Sequence, residues 1–260
     1  MSFLSSMKAI QQDALDRGGS YVHYSQCLEP TSTLINMLPY TSGGICQALS
    51  AKWIAEHAND SSLWNWLFAE GTTHVKQAAI ANLMINFTES VVRTASDIEH
   101  NQGNRATRKK IAFRIGNKSL RKANTGGQFY QDFVTDKYLG LYGLKRRTIC
   151  QPSVVGSMQN QIPMGTGLSA GYLLGSYLNE DWLASKGGGS YVLISIMGSG
   201  GGHAMAAYVG NDIAFFDPNY GEFWFPTHQQ FYEFFMAFWR SSGYYQDFNR
   251  FYLLPYAKGV

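Results

Sequence analysis

An α+β fold, with an N-terminal helical part packed on a C-terminal antiparallel β-sheet, is what the sequence predicts. Apolar residues recur at helical spacing through the first half, and short β-rich runs separated by Gly or Asn turns fill residues 190–225. The two patterns are segregated along the chain, which separates this order from the alternating strand and helix of a parallel sheet. At 260 residues, with 45% hydrophobic and 15% aromatic side chains, the chain can bury one substantial core, so residues 1–260 are read as a single domain.

The elements follow in order. The opening MSFLSSMKAIQQDALDRG has no apolar core of a signal peptide, and residues 1–40 are set apart as a candidate flexible, secretion or processing segment. Residues 44–58 carry Ile45, Leu49, Trp53 and Ile54, and residues 75–98 repeat Ala, Leu, Ile, Phe and Val; both runs have the spacing of amphipathic helices. Residues 101–127 turn polar and basic, with Arg105, Arg108, Lys109, Lys110, Arg114, Lys118, Arg121 and Lys122, and read as an exposed excursion. A helix is expected over residues 164–183, on Leu168, Tyr172, Leu173 and Leu178, ended by the KGGG run at 186–189. Strands at 190–197, 203–209, 212–217 and 222–225 suit an antiparallel meander; an aromatic helix at 227–239 and a last strand at 248–254 complete the pattern.

Charge and cysteines exclude several functions. The net charge of +3 does not mark the whole molecule as a nucleic-acid binder, so a basic partner surface is confined to residues 105–122, which read first as a solvated loop. Three cysteines, Cys27, Cys46 and Cys150, are far apart with no CxxC pair, which argues against a disulfide framework and a zinc site. No metal or organic cofactor is expected. The glycine runs at 165–167 and 198–202 lack the Lys-Ser/Thr ending of a phosphate-binding loop and read as rims of a cleft. No run of about 18 apolar residues offers a transmembrane span.

One constellation carries chemistry. Cys46 follows Gly43 and Gly44 into a helix start, where unpaired N–H groups and the helix dipole favour thiolate. Cys27 and Cys150 lack that setting and read as inert. His203 opens the strand HAMAAYV and Asp217 closes the next one. If the connection is the three-residue loop at 210–212, His203 opposes Asn219 and Asp217 becomes its diagonal neighbour on the same face; a two-residue loop puts Asp217 on the opposite face. A thiol, an imidazole to shuttle its proton and a carboxylate to orient the imidazole make up a nucleophilic hydrolase site.

These residues resemble the YopT-type cysteine protease family, a papain-like group of bacterial virulence effectors. The likeness rests on GICQALS at 44–50 with Trp53 seven positions after Cys46, on GGHAMA at 201–206, and on FFDPNYGEFWF at 215–225. The order Cys, His, Asp, at intervals of 157 and then 14 residues, resembles that family too. The resemblance implies a papain-like fold, catalytic roles for Cys46, His203 and Asp217, and peptide-bond hydrolysis through a thioester acyl-enzyme. It also implies release without a cleaved signal peptide, translocation into a host cell, and a host protein substrate such as a small GTPase or a kinase. One departure stands out: Tyr40, Thr41 and Ser42 supply no Gln or Asn for an oxyanion hole, so the Cys46 N–H is one donor, the second is unassigned, and Asn36 is a weak candidate. Glutamine deamidation, transglutamination and acyl transfer pass through the same thioester and stay open, as does a non-catalytic binding module.

Overall fold

The computed structural model describes residues 2–37, 45–100, 126–147, 162–163, 167, 169–179, 181, 183 and 190–259. Residues 101–125 of the basic excursion, Cys150, the glycines at 43 and 44, Tyr40 to Ser42 and the KGGG run lie outside the described residues, while Gly126 and Gly127, assigned to the excursion, open a helix instead.

The helical half comprises α1 (Phe3–Asp16), β1 (Ser20–Val22), α2 (Thr31–Met37), α3 (Ile45–Ala58), α4 (Leu63–Leu67), α5 (Gln77–His100) and α6 (Gly126–Gly140). Then follow β2 (Leu144–Arg146), β3 (Ile162–Pro163), α7 (Ser169–Tyr177), β4 (Tyr191–Gly198), β5 (Gly201–Val209), β6 (Ile213–Asp217), β7 (Gly221–Phe225), α8 (His228–Ser241), α9 (Tyr244–Asp247) and β8 (Phe248–Lys258). The strands form one antiparallel sheet in the order β1-β7-β6-β5-β4-β8-β2, with β3 also on β8. The expected helical part packed on an antiparallel sheet is therefore present. None of the described helices is long and apolar enough to cross a membrane.

Both faces of the sheet are covered, which explains why its strands read as nearly continuous apolar runs. Val192, Ile194, Met205, Ala207, Phe215, Phe223 and Leu253 share a core with Met7 and Ile10 of α1 and Phe231, Phe234, Phe235 and Phe238 of α8. The alternate positions, Tyr191, Leu193, Ala206, Phe216, Tyr252 and Leu254, face the other way and pack with Leu49, Trp53 and Ile54 of α3. Residues 1–40, set apart as a candidate flexible segment, are folded over 3–37: α1 is capped by the Ser2 side chain and enters the core, and β1 pairs with β7. Within the helix expected at 164–183, the described helical residues are Ser169–Tyr177, Asp181 and Leu183.

α3 is enclosed on almost every side, as a helix with apolar residues around its whole circumference must be. Only Cys46, Glu56 and His57 along it are less than fully buried. Its polar residues are paired inside: Gln47 Nε2 donates to Asp132 Oδ1 at 3.0 Å and Thr135 Oγ1 at 3.0 Å, and Lys52 forms an ion pair with Glu56 while lying over the Trp66 ring. Such partners offset the desolvation that buried polar groups suffer.

His57, near the end of α3, makes stability depend on pH. Its ring stacks on Tyr208 and packs tilted against Trp53, and Nδ1 meets Tyr191 Oη at 3.3 Å. Burial holds the imidazole below its ordinary range despite the pull of Asp212 and Asp60. Above about pH 6.5 neither folded nor unfolded His57 is protonated; below it the unfolded chain takes up the proton first and stability falls. In urea unfolding between about pH 7 and 5, His57→Gln is expected to lose less stability than the wild type; parallel losses would show that the ring titrates normally.

Candidate active site

Local sequence brings two of the three expected site residues together. The β5–β6 pairing runs Ala206↔Phe216, Ala207↔Phe215, Tyr208↔Ala214 and Val209↔Ile213, the register of a three-residue loop, so His203 and Asp217 are diagonal neighbours on one face as expected. His203 Nε2 and Asp217 Oδ1 are 2.9 Å apart, with Asp217 fully buried and His203 nearly so. The glycine run at 198–202 forms the tip of the β4–β5 hairpin, where Gly198 pairs with Gly201. A Cβ at Gly198 would lie 1.8 Å from the Asp247 carbonyl oxygen, so this close approach requires glycine.

Behind Asp217 the chain reverses in a tight turn. The Asn219 N–H donates to Asp217 Oδ1 at 2.8 Å and the Tyr220 N–H to the Asp217 carbonyl at 3.0 Å. Gly221 then takes φ +103°, with its Cα hydrogen where a side chain would meet the Val22 carbonyl at 2.3 Å. The sequence DPNYG thus fixes the carboxylate at the end of β6 and admits β1 alongside β7.

Cys46 arrives from the opposite side, in the first turn of α3. Ser50 Oγ donates to the Ala204 carbonyl at 3.2 Å, tying that end of the helix to β5 beside His203. Burial works against a thiolate at Cys46, but a hydrogen bond and charge from His203, with the backbone N–H groups of Ala204 and Gln47, hold its thiol below the usual range. Burial likewise opposes an imidazolium at His203, yet the charge and hydrogen bond of Asp217, with Cys46, push it up to about 10. Because Nε2 is taken by Asp217, Nδ1 is left for the sulfur. Both shifts favour a thiolate–imidazolium pair over the neutral pair, and a thiol, an imidazole and a carboxylate in this order are the groups needed to attack a carbonyl carbon and return a proton to a leaving group.

All three expected residues meet at this cluster. Asn36 is exposed on α2, and nothing in the structure directs it to the sulfur. Two contacts were not anticipated. Tyr244 Oη donates to Asp217 Oδ2 at 3.0 Å, and Asn219 Nδ2 donates to Tyr244 Oη at 2.8 Å. Asn219 had a readable signal, since the residue two positions after Asp217 in Asp-Pro-Asn is the one whose N–H closes an Asx-type turn. Tyr244, 27 residues beyond Asp217, had none. Cys27, read as inert, lies near the cluster on an exposed residue whose thiol donates to Asn219 Oδ1 at 3.2 Å; partial desolvation of the sulfur, with the charge of Asp217, raises its pKa.

Comparison with known proteins gives the lineage. Cysteine protease yopT1 of Yersinia enterocolitica is 28% identical over 210 residues, 79% of this chain and 53% of its own length. The protein adenylyltransferase and cysteine protease IbpA of Histophilus somni is 28% identical over 213 residues, 78% of this chain and 4% of that protein. The chain thus spans about half the length of the YopT relatives and a small part of IbpA. Among solved structures, the YopT domain of the Pasteurella multocida PfhB2 toxin aligns at TM-score 0.34 and 25% identity, covering 91% of this chain and 93% of that one. The Pseudomonas avirulence protein AvrPphB aligns at TM-score 0.46 and 15% identity, covering 81% and 91%. The model of peptidase family C58, described as Yersinia/Haemophilus virulence surface antigen, matches residues 8–251, a span containing Cys46, His203 and Asp217, and the chain belongs to that family.

Proposed function

We propose that the chain is a cysteine endopeptidase in which Cys46 is the nucleophile, His203 the acid and base, and Asp217 the orienting carboxylate. The observation that carries this reading is the buried His203–Asp217 pair, 2.9 Å apart, with Cys46 interacting with the same imidazole from the first turn of α3, in a member of the C58 peptidase family. Cys46 thiolate attacks the scissile carbonyl carbon, the imidazolium protonates the departing amine, and a thioester remains. Neutral His203 then takes a proton from water, the resulting hydroxide attacks the thioester, and the acid product leaves with the thiol regenerated. The Cys46 backbone N–H is one donor to the oxyanion, and the second donor is unassigned.

Relatives named as cysteine proteases support a protein substrate. By the same resemblance, the substrate is a host protein, a small GTPase or a kinase, met after translocation without a cleaved signal peptide. The basic segment at 105–122 argues mildly against a polybasic substrate tail, because such a tail needs acidic walls.

Incubation with a peptide library, read by mass spectrometry against Cys46→Ser as the blank, tests the reaction class. New termini are expected. A gain of about one mass unit at Gln without new termini would instead assign a deamidase, and no change in either would favour a binding module. Asp217→Ala is expected to retain a small residue of the wild-type rate, because the histidine loses its orienter but not its proton transfer.

A further inference from the structure

Asp217 has no contact with water, so each of its oxygens depends on protein donors. Oδ1 is shared by His203 and the Asn219 backbone N–H, at 2.9 and 2.8 Å. Oδ2 receives the Tyr244 hydroxyl at 3.0 Å. Tyr244 is buried among the rings of Tyr220, Phe238 and Phe248, and its own ring lies 5.4 Å from that of His203. Its hydroxyl oxygen accepts from Asn219 Nδ2 at 2.8 Å, which turns the O–H toward Asp217. Asn219 is held in turn through Oδ1, which accepts from Gln26 Nε2 at 2.8 Å. Gln26 is fastened by its backbone N–H on the Pro218 carbonyl at 2.7 Å.

We propose that Tyr244, aimed by Asn219 and Gln26, is a positioning residue that fixes the Asp217 carboxylate against His203. The proposal rests on the triad reading given above. The hydroxyl is built to donate, because burial first, and the neighbouring carboxylate second, keep the phenol protonated far beyond neutral pH. Without it, Oδ2 is a buried oxygen lacking a donor, and the carboxylate must rotate or recruit water. Either response breaks the alignment with His203 Nε2 and loosens the hold on the imidazolium. The thiolate then forms only at higher pH.

The test is the pH profile of Cys46 alkylation by iodoacetamide on the full chain, with adducts mapped by mass. Tyr244→Phe keeps the ring and removes one hydroxyl. Its acid limb is expected to move up by about one pH unit, equivalent to about tenfold in proton affinity, with Asn219→Ala moving the same way by less. A residue that only packs would lower the melting temperature and leave the limb in place. A folded Tyr244→Phe protein whose acid limb superposes on that of the wild type overturns the proposal. If Tyr244→Phe fails to fold, an unshifted limb in Asn219→Ala overturns it. His203→Ala separates the two ideas: an unshifted profile there sinks the triad reading itself, whereas a shifted profile there with an unshifted Tyr244→Phe sinks the positioning role alone.

Discussion

His203→Ala is expected to lower peptide hydrolysis by at least roughly 10³-fold and to move the acid limb of Cys46 alkylation above about pH 8.5. Three influences act on the sulfur. Burial raises its proton affinity, while His203 and the two backbone N–H groups lower it. Removal of the imidazole leaves burial opposed only by the backbone, so the thiol returns to its ordinary range or beyond. The rate at one pH is a poor readout, because a thiolate of lower pKa is intrinsically the weaker nucleophile; the position of the limb is the sound one. A His203→Ala limb that coincides with the wild type would mean that the helix N-terminus alone activates Cys46.

The second large effect is on folding. Trp53→Ala is expected to destabilise the protein by about 3–5 kcal/mol in urea unfolding, a large share of the 5–15 kcal/mol that holds a typical domain together. Trp53 is almost wholly buried at the middle of α3, stacked 6.0 Å from Phe216 and tilted against His57 at 5.0 Å. Its indole N–H donates to Glu222 Oε2 at 2.8 Å, and the Trp64 N–H reaches the same oxygen at 2.9 Å. Burial already holds Glu222 above the usual carboxylate range, with the two indoles working against that rise. The Ala variant therefore leaves a cavity and strips a buried carboxyl of a donor. Trp53→Phe keeps most of the volume and loses only the N–H, so its cost should be smaller, about 1–3 kcal/mol. Equal costs for the two would mean that the hydrogen bond, rather than the packing, dominates; a loss below about 1 kcal/mol in Trp53→Ala would contradict the enclosed position of α3.

The site was legible in the sequence wherever geometry is short-range. The start of α3, the β5–β6 register and the diagonal relation of His203 to Asp217 follow from helical spacing, strand period and loop length, all encoded within about fifteen residues. Other features escaped for different reasons. α1 carries Met7, Ile10 and Ala14 at helical intervals behind a Ser N-cap, a pattern diluted by the polar residues between them. The glycine pair at the start of α6 hides a helix whose Asp132 and Thr135 receive Gln47. Tyr244 and the two indoles on Glu222 depend on tertiary proximity, for which no local period exists. The sheet extends further than the meander suggested: β8 runs for eleven residues and joins β4 on one edge to β2 and β3 on the other.

The division between near and distant parts of the cluster also governs when the thiol becomes reactive. The histidine and aspartate share one hairpin and can find each other early, while Cys46 comes from 157 residues away. Until α3 seats against β5, Cys46 is an ordinary thiol, mostly protonated at neutral pH. On the proposed reading of Cys46 as nucleophile, assembly therefore acts as a safety catch, and a chain that is unfolded or still being synthesised carries its warhead disarmed.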